Sequence, residues 1–283
     1  MHGVEEKQLV AGGTYLKVHY YADPDKDDEW LEATRKSMID TPRQFEVEIL
    51  MKELFLDGQV VFSTFNEAVH VPDGGRDRLF GSVPNSTYIV GWDCGSSSVN
   101  PAAVLVEVTP RTKDHGRLVL VHHEWTTEAG TSLEVFVPAV LNDISQKFRH
   151  ILFKDILHCG DETGRNKTAV SDESGFDVMA RLGVFVTPVT NAWGHRRGAV
   201  DRLLADRDGS GVARMCINAK GCPILVAGFN GGYRLKQITS GSSDMYGMPA
   251  KDKYSHPHDG LQYAAVVACE LMDGGGKLTQ NKL

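Results

Sequence analysis

The spacing of apolar residues divides the chain into a leading stretch of mixed elements and a longer stretch dense in strands. Residues 14–21, TYLKVHYY, are rich in β-formers and read as a strand. A turn follows, then an amphipathic helix reaching residue 40, with Trp30, Leu31, Thr34 and Met38 on one face. TPRQFEVEILMKELF (41–55) starts like a second helix: Thr41 suits the N-cap and Pro42 the first helical position. GQVVFSTFNEAVHV (58–71) returns to extended chain, and the Gly- and Pro-rich segment 72–86 reads as a linker or boundary.

From Thr87 the pattern changes. TYIVGWDCG (87–95) is a short apolar run ending in an acid, and NPAAVLVEVTP (100–110) and GRLVLVHHEWTT (116–127) are two more strands, close enough to form an antiparallel meander. Residues 132–149 have helical spacing, with Pro138 implying a kink. A strand leading to Asp161, a helix over 174–182, a strand over 183–189 and a helix over 195–207 follow. Short pieces around Cys216 and Pro223 and a hairpin over 231–240 precede a last helix at 255–272. The order βββαβαβα with a further helix predicts an α/β fold, a mixed sheet with helices packed on it. Two domains are expected: a linker segment at 1–80 and the sheet domain at 81–283.

Composition narrows the class. The 283 residues suffice for a substantial core, and 41% hydrophobic and 24% charged residues are ordinary for a globular protein. No apolar run approaches the roughly 20 residues of a membrane span, and no signal-peptide h-region is present. Five scattered cysteines without a C-x-x-C argue for a reducing compartment and against a zinc ribbon. The net charge of −7 argues on its face against nucleic acid, but a carboxylate site for metal ions would carry part of it. The basic runs GHRRGAVDRLLADR and KDKYSHPH are either contact surfaces or solvated faces.

The stretch CGDETGRNKT (159–168) approaches a phosphate-binding loop. Its glycines lie one residue too close for G-x-x-x-x-G-K-[ST], Arg165 and Asn166 separate Gly164 from Lys167, and the Asp-Glu pair would repel phosphate. Its acids therefore need another reading. Asp93 ends an apolar strand, Asp161 ends another, and Asp259 sits in the first turn of an apolar helix. Singly, Asp93 reads as a turn residue and Asp259 as a charge favouring the helix dipole. Together they form a constellation, because an acid at the edge of a core is costly unless paired or bound to a cation. If the two strands run parallel side by side, Asp93 and Asp161 emerge at one sheet edge, where the last helix can deliver Asp259. Three carboxylates without an imidazole cluster suit Mg²⁺ or Mn²⁺. Two such ions stabilise the attacking and leaving oxygens of a phosphoryl displacement.

YIVGWDCGSSSVNPAAVLVEV, HCGDETGRN and YSHPHDGLQYAAVVA resemble the three acidic motifs of the nuclease domain of phage terminase large subunits, members of the ribonuclease-H-like superfamily. The run D-G-L-Q-Y-A is the most specific of these, and the segments before residue 72 resemble the join between the packaging ATPase and the nuclease. The resemblance covers nearly the whole chain. It implies a ribonuclease-H-like mixed sheet flanked by helices and a DNA endonuclease cutting concatemeric double-stranded DNA. Asp93, Asp161 and Asp259 are then catalytic metal ligands for two Mg²⁺ or Mn²⁺ ions. The implied partners are double-stranded DNA, a small terminase subunit, a portal protein and a packaging ATPase in the same full-length protein or a separate chain, in the host cell cytoplasm and without a membrane. Nothing in the sequence matches the ATPase, so ATP hydrolysis is not expected of this chain.

Arg165, Lys167, Arg196, Arg197, Lys251 and Lys253 are the candidate DNA contacts. Glu162 and Glu124 are candidate further ligands, and Lys251 and Lys253 are placed to stabilise developing phosphorane charge or to sit in a solvated loop. His256 and His258 suit helix capping or a polar contact to the site, and Ser96, Ser97 and Ser98 a polar turn. His122 and His123, adjacent on a strand, are expected to face opposite sides. Two other readings compete: another ribonuclease-H-like nuclease of the resolvase or ribonuclease H type, and a non-catalytic module that docks on DNA or a portal.

Overall fold

The computed structural model describes residues 4–8, 14–38, 49, 59–72, 77–81, 83–94, 100–113, 115–128, 130–168, 171–237 and 246–274. Two compact units divide between Gly58 and Gln59, so the described residues 59–72 and 77–80 belong to the unit that holds the sheet. In the first unit β1 (Val4–Gln8) pairs antiparallel with β2 (Thr14–Val18). Helix α1 (Asp28–Ser37) follows, its N-cap Asp27 accepting from Trp30 N at 2.9 Å. Trp30, Leu31, Thr34 and Met38 are half-buried while their neighbours are exposed, which matches the face read from the sequence. The helix expected over 41–55 lies outside the described residues.

The second unit opens differently from the extended chain expected at 58–71. Asn66 caps a short helix α2 (Glu67–His70), accepting from Ala68 N, and the buried His70 donates to Leu204 O at 2.9 Å. The meander is as expected: β3 (Thr87–Asp93), β4 (Ala102–Val108) and β5 (Val119–Thr126) run antiparallel in sequence order. A bulge in β5 breaks the alternation, so His122 and His123 both pack against Phe148 instead of facing opposite sides. Helix α3 (Leu133–Lys147) continues through Pro138, which sits on its exposed side.

Next come β6 (Ile156–Asp161), a two-stranded ladder of β7 (Lys167–Thr168) and β8 (Ser171–Ser174), helix α4 (Gly175–Arg181) and β9 (Val186–Val189). Helix α5 (Trp193–Ala205) leads to β10 (Met215–Ile217), helix α6 (Pro223–Ala227), the antiparallel pair β11 (Leu235–Gln237) and β12 (Tyr246–Pro249), and helix α7 (Ser255–Met272). The main sheet has six strands in the order β10-β5-β4-β3-β6-β9, with β6 and β9 parallel to β3 and β10 parallel to β5. Seven α-helices stand among the described residues, none long and apolar enough to cross a membrane.

Strand alternation sorts the core into two layers. Tyr88, Val90 and Trp92 pack with α3 residues Phe136, Val137, Val140 and Ile144 on one face. Ile89, Val104, Val106 and Cys159 pack on the other face with Val200 and Leu203 of α5 and with Leu261 and Ala264 of α7. Asp93 shares the parity of Ile89, and Asp161 that of Cys159, so both belong to the α7 face. Helix α7 lies unusually near β3 because two glycines meet. A Cβ on Gly91 would collide with Gly260 O, and one on Gly260 would come within 3.0 Å of Gly91 O. This contact sets the start of α7 beside the ends of β3 and β6.

Candidate functional site

The end of β3 supplies Asp93, the end of the adjacent parallel strand β6 supplies Asp161, and the first turns of α7 supply Asp259. Each carboxylate has its own partner. His256 Nδ1, in the first turn of α7, donates to Asp93 Oδ2 at 2.8 Å. Tyr263, one turn beyond Asp259, donates its hydroxyl to Asp161 Oδ2 at 3.1 Å, and Thr163 N donates to Asp161 Oδ1 at 2.9 Å. Asp259, 4% exposed, accepts from Arg196 Nη1 at 3.1 Å and Lys251 Nζ at 2.7 Å.

Tyr263 is the hub. Burial pushes its phenol far above the ordinary range, and Asp259, Asp161 and Asp93 each add to that rise, against the opposing charge of Arg196. The Arg196 guanidinium lies over the Tyr263 ring, 4.7 Å from its centroid. Cys94, next to Asp93, has its thiol pushed up to about 12 by burial and by Asp93 and Asp161. One phenol and one thiol therefore feel several of these carboxylates at once. Among the described residues, however, no three His, Cys, Asp or Glu side chains stand close enough to form a ready-made ion cage.

The remaining candidates separate. Arg196 is corrected: it is 6% exposed and ion-paired to Asp259, so it is no free phosphate contact. It lies one helical turn before the buried Val200, on the face of α5 that also buries Leu203 and Leu204. Arg197, the next residue, is half-exposed, ion-paired with Asp201 at 3.2 Å and placed over the Trp193 ring. Lys251 reaches Asp259 from an exposed position, while Lys253 lies over the Tyr254 ring, 5.0 Å from its centroid. Arg165 and Lys167 are exposed on the segment leaving Asp161. That segment runs from β6 through a 3-10 turn (Glu162–Arg165) into β7, with no helix start of the kind a phosphate loop requires.

Glu162 and Glu124 are both braces. Glu162 Oε1 accepts from Asn191 N at 3.0 Å, tying the turn to the β9–α5 connection. Glu124 is buried on β5 and accepts from Ile224 N and, at 2.8 Å, Leu225 N at the start of α6. Burial pushes its carboxyl up to about 7, against the pull of those two N–H groups. His258, unlike His256, turns away from the acids. It stacks on Tyr233 with centroids 4.4 Å apart, flanked by Phe62 and Phe229, and burial pushes its imidazole down to about 3. Ser96, Ser97 and Ser98 lie outside the described residues.

Sequence reasoning missed Tyr263, Arg196 as an inward group, and the Gly91–Gly260 contact. For the first two a signal was present, since Tyr263 lies four residues after Asp259 and Arg196 four before Val200; the glycine contact joins distant segments and left none.

No family model and no curated protein matches the chain. Among solved structures, it is similar to the nuclease domain of g2p, the large terminase of bacteriophage SPP1, with bound Mn. Identity there is 16%, over 74% of this chain and 96% of that one, with a TM-score of 0.42. The large terminase nuclease from thermophilic phage G20c with bound magnesium shows 16% identity over 75% of this chain and 97% of that one, at a TM-score of 0.43. Thermus thermophilus RuvC shows 17% identity over 68% and 99%, at a TM-score of 0.28. The fold class is the one expected from the sequence: an α/β fold with a mixed sheet, β10-β5-β4-β3-β6-β9, flanked by helices.

Proposed function

We propose that the chain is a metal-dependent DNA endonuclease of the kind found in viral packaging terminases, cutting concatemeric double-stranded DNA. The observation that supports this reading is that Asp93 and Asp161 end neighbouring parallel strands and that each is bonded by a side chain, His256 and Tyr263, of the helix that carries Asp259. The motif resemblance read from the sequence supports the same assignment.

The donor type suits a hard divalent cation, although among the described residues the carboxylates do not stand close enough to form a finished cage. All three groups are carboxylates, and the Asp259 carboxylate already draws two cationic side chains, Arg196 and Lys251. Asp93, Asp161 and Asp259 would hold Mg²⁺ or Mn²⁺. Such ions supply activation of water and stabilisation of the leaving oxygen. The protein's own part is orientation and charge. Tyr263 and the Thr163 amide fix the Asp161 carboxylate, His256 fixes Asp93, and buried Arg196 fixes Asp259. Lys251, whose side chain is 67% exposed, reaches Asp259 from the rim and would there meet a scissile phosphate. The paired state of every carboxylate favours a second reading, a DNA-docking module without chemistry.

One experiment separates the two. Plasmid nicking is measured for wild type and Asp93→Asn with Mn²⁺, Mg²⁺ or EDTA. The amide keeps the shape but loses the charge that holds a divalent ion, so cutting is expected to vanish while the fold persists. Cutting by the variant that EDTA leaves untouched rejects metal catalysis here, and a wild type that binds DNA without ever cutting it establishes the docking module.

A further inference from the structure

We infer that the chain has a second phosphate-binding site, a basic cleft at the far pole of the sheet, which takes the backbone of nucleic acid. The cleft has a volume of about 720 Å³ and lies between the β4–β5 loop, the end of α5 and the end of α7. Five cationic side chains line it, Arg111, Lys113, Arg117, Arg202 and Arg214, against two carboxylates, Asp206 and Asp273. A chain of net charge −7 thus concentrates positive charge in one concavity.

The two carboxylates do not cancel that charge, because both are spent on Arg202, which contacts Asp273 Oδ2 at 2.7 Å and Asp206 Oδ2 at 4.0 Å. Arg117 donates to Leu271 O at the end of α7, and Arg214 donates to Arg117 O at 2.7 Å. Those carbonyls orient the guanidinium groups and leave their charge standing. Among the described residues, no carboxylate lies within ion-pair distance of Arg111, Lys113, Arg117 or Arg214. The loop is built to hold this shape. Asp208 accepts from Gly116 N at 3.2 Å and from Ser210 N and Val212 N, pinning the loop to the turn before β10. The Arg214 guanidinium lies directly over Gly116, in the space a Cβ would take.

The chemistry selects the ligand class. Guanidinium groups match phosphate oxygens in pairs. Among the described lining residues His115 is the one ring and Met272 the one large apolar side chain, so the cleft offers little of either a platform for free bases or the apolar anchor of a protein–protein hot spot. Consecutive backbone phosphates need neither. From Asp259 to the cleft, α7 spans about 21 Å, roughly six base pairs of duplex. That separation is within the length of one short duplex.

The assignment to DNA rests on the nuclease reading, and the test keeps the two apart. Binding of duplex DNA is measured in EDTA over a salt series for wild type, Arg111→Gln/Lys113→Gln, and the charge-keeping swap Arg111→Lys/Lys113→Arg. Both residues are exposed on a loop, so the fold survives either change. Loss of two phosphate contacts is expected to flatten the log K against log salt slope by about 1.8 and to weaken binding by roughly one to two orders of magnitude. The swap is expected to bind like wild type. Unchanged affinity in the double glutamine variant overturns the site, as does an equal loss in the swap. Polyglutamate that displaces duplex at matched charge also overturns it, in favour of an acidic protein partner. Cutting by wild type alongside an unaffected double variant rejects the cleft alone. Weakened duplex binding by the double variant, with no cutting by wild type under any divalent ion, rejects the nuclease reading alone.

Discussion

Gly91→Ala is the substitution that tests how the site is built. The new Cβ would sit inside van der Waals range of Gly260 O and 3.0 Å from Ala264 Cβ, with backbone rather than a flexible side-chain tip in the way. Restoring an ordinary contact of about 3.5 Å requires α7 to move out by at least about 1.4 Å. Overpacking of this kind costs about 3 kcal/mol, at the upper end of its usual range. For a domain of this size that lowers Tm by roughly 6–12 °C. The helix carries His256, Asp259 and Tyr263, so a displacement of this size lowers cutting at least about 100-fold beyond the stability loss. Gly260→Ala is the control. Its Cβ would meet Gly91 O at 3.0 Å, a few tenths too close. The helix propensity of alanine returns about 1 kcal/mol, so stability is expected to stay within about 1 kcal/mol of wild type. Differential scanning calorimetry and nicking at a temperature where both variants are folded make the comparison. If Gly91→Ala proves no worse than Gly260→Ala, the close approach does not position the acids.

Arg196→Gln removes one partner of a buried pair and is expected to cost about 3 kcal/mol in chemical denaturation, without weakening duplex retention by folded protein. A variant that folds as well as wild type but releases DNA would return Arg196 to the surface role first read from the sequence. Stability is also expected to fall in acid. Burial holds His158 down to about 4 and His258 down to about 3. In the unfolded chain both bind protons below about 6.5, so their contribution is complete above that pH. It drains away as pH drops toward 4, by up to roughly 1.4 kcal/mol per imidazole per pH unit. Equal denaturation midpoints at about pH 7 and about pH 5 would show that these rings are not neutral in the fold.

The elements that could be read from sequence were those whose pattern is local. The meander, α3, α5 and α7 are examples: α3 and α5 each bury one stripe, while β3, β4 and α7 are apolar runs buried on both sides. The common location of Asp93 and Asp161 was also legible, because two acids ending parallel neighbours of equal parity must share a face. Hidden were features created by close approach between distant segments. Nothing local distinguishes Gly91 from any strand glycine until Gly260 is laid against it. The bulge at His122 likewise depends on pairing with β4, and it reversed the expected facing of that histidine pair. Arg196 and Arg197 look alike as a basic run; only the turn of the helix sends one inward and one outward. The edge strand β10 has just three residues, too few for a period to show.

The three carboxylates come from the first strand of the sheet, a middle strand and the last helix, so order of synthesis matters. A ribosome delivers Asp93 and Asp161 well before α7. Until α7 emerges, Ile89, Val104 and Cys159 have only part of their cover on that face, from α5, and Asp161 has no tyrosine. A nascent chain therefore holds two thirds of the acidic set on an unfinished sheet. Whatever chemistry the completed set performs is withheld from the growing polypeptide and switched on by the docking of one helix.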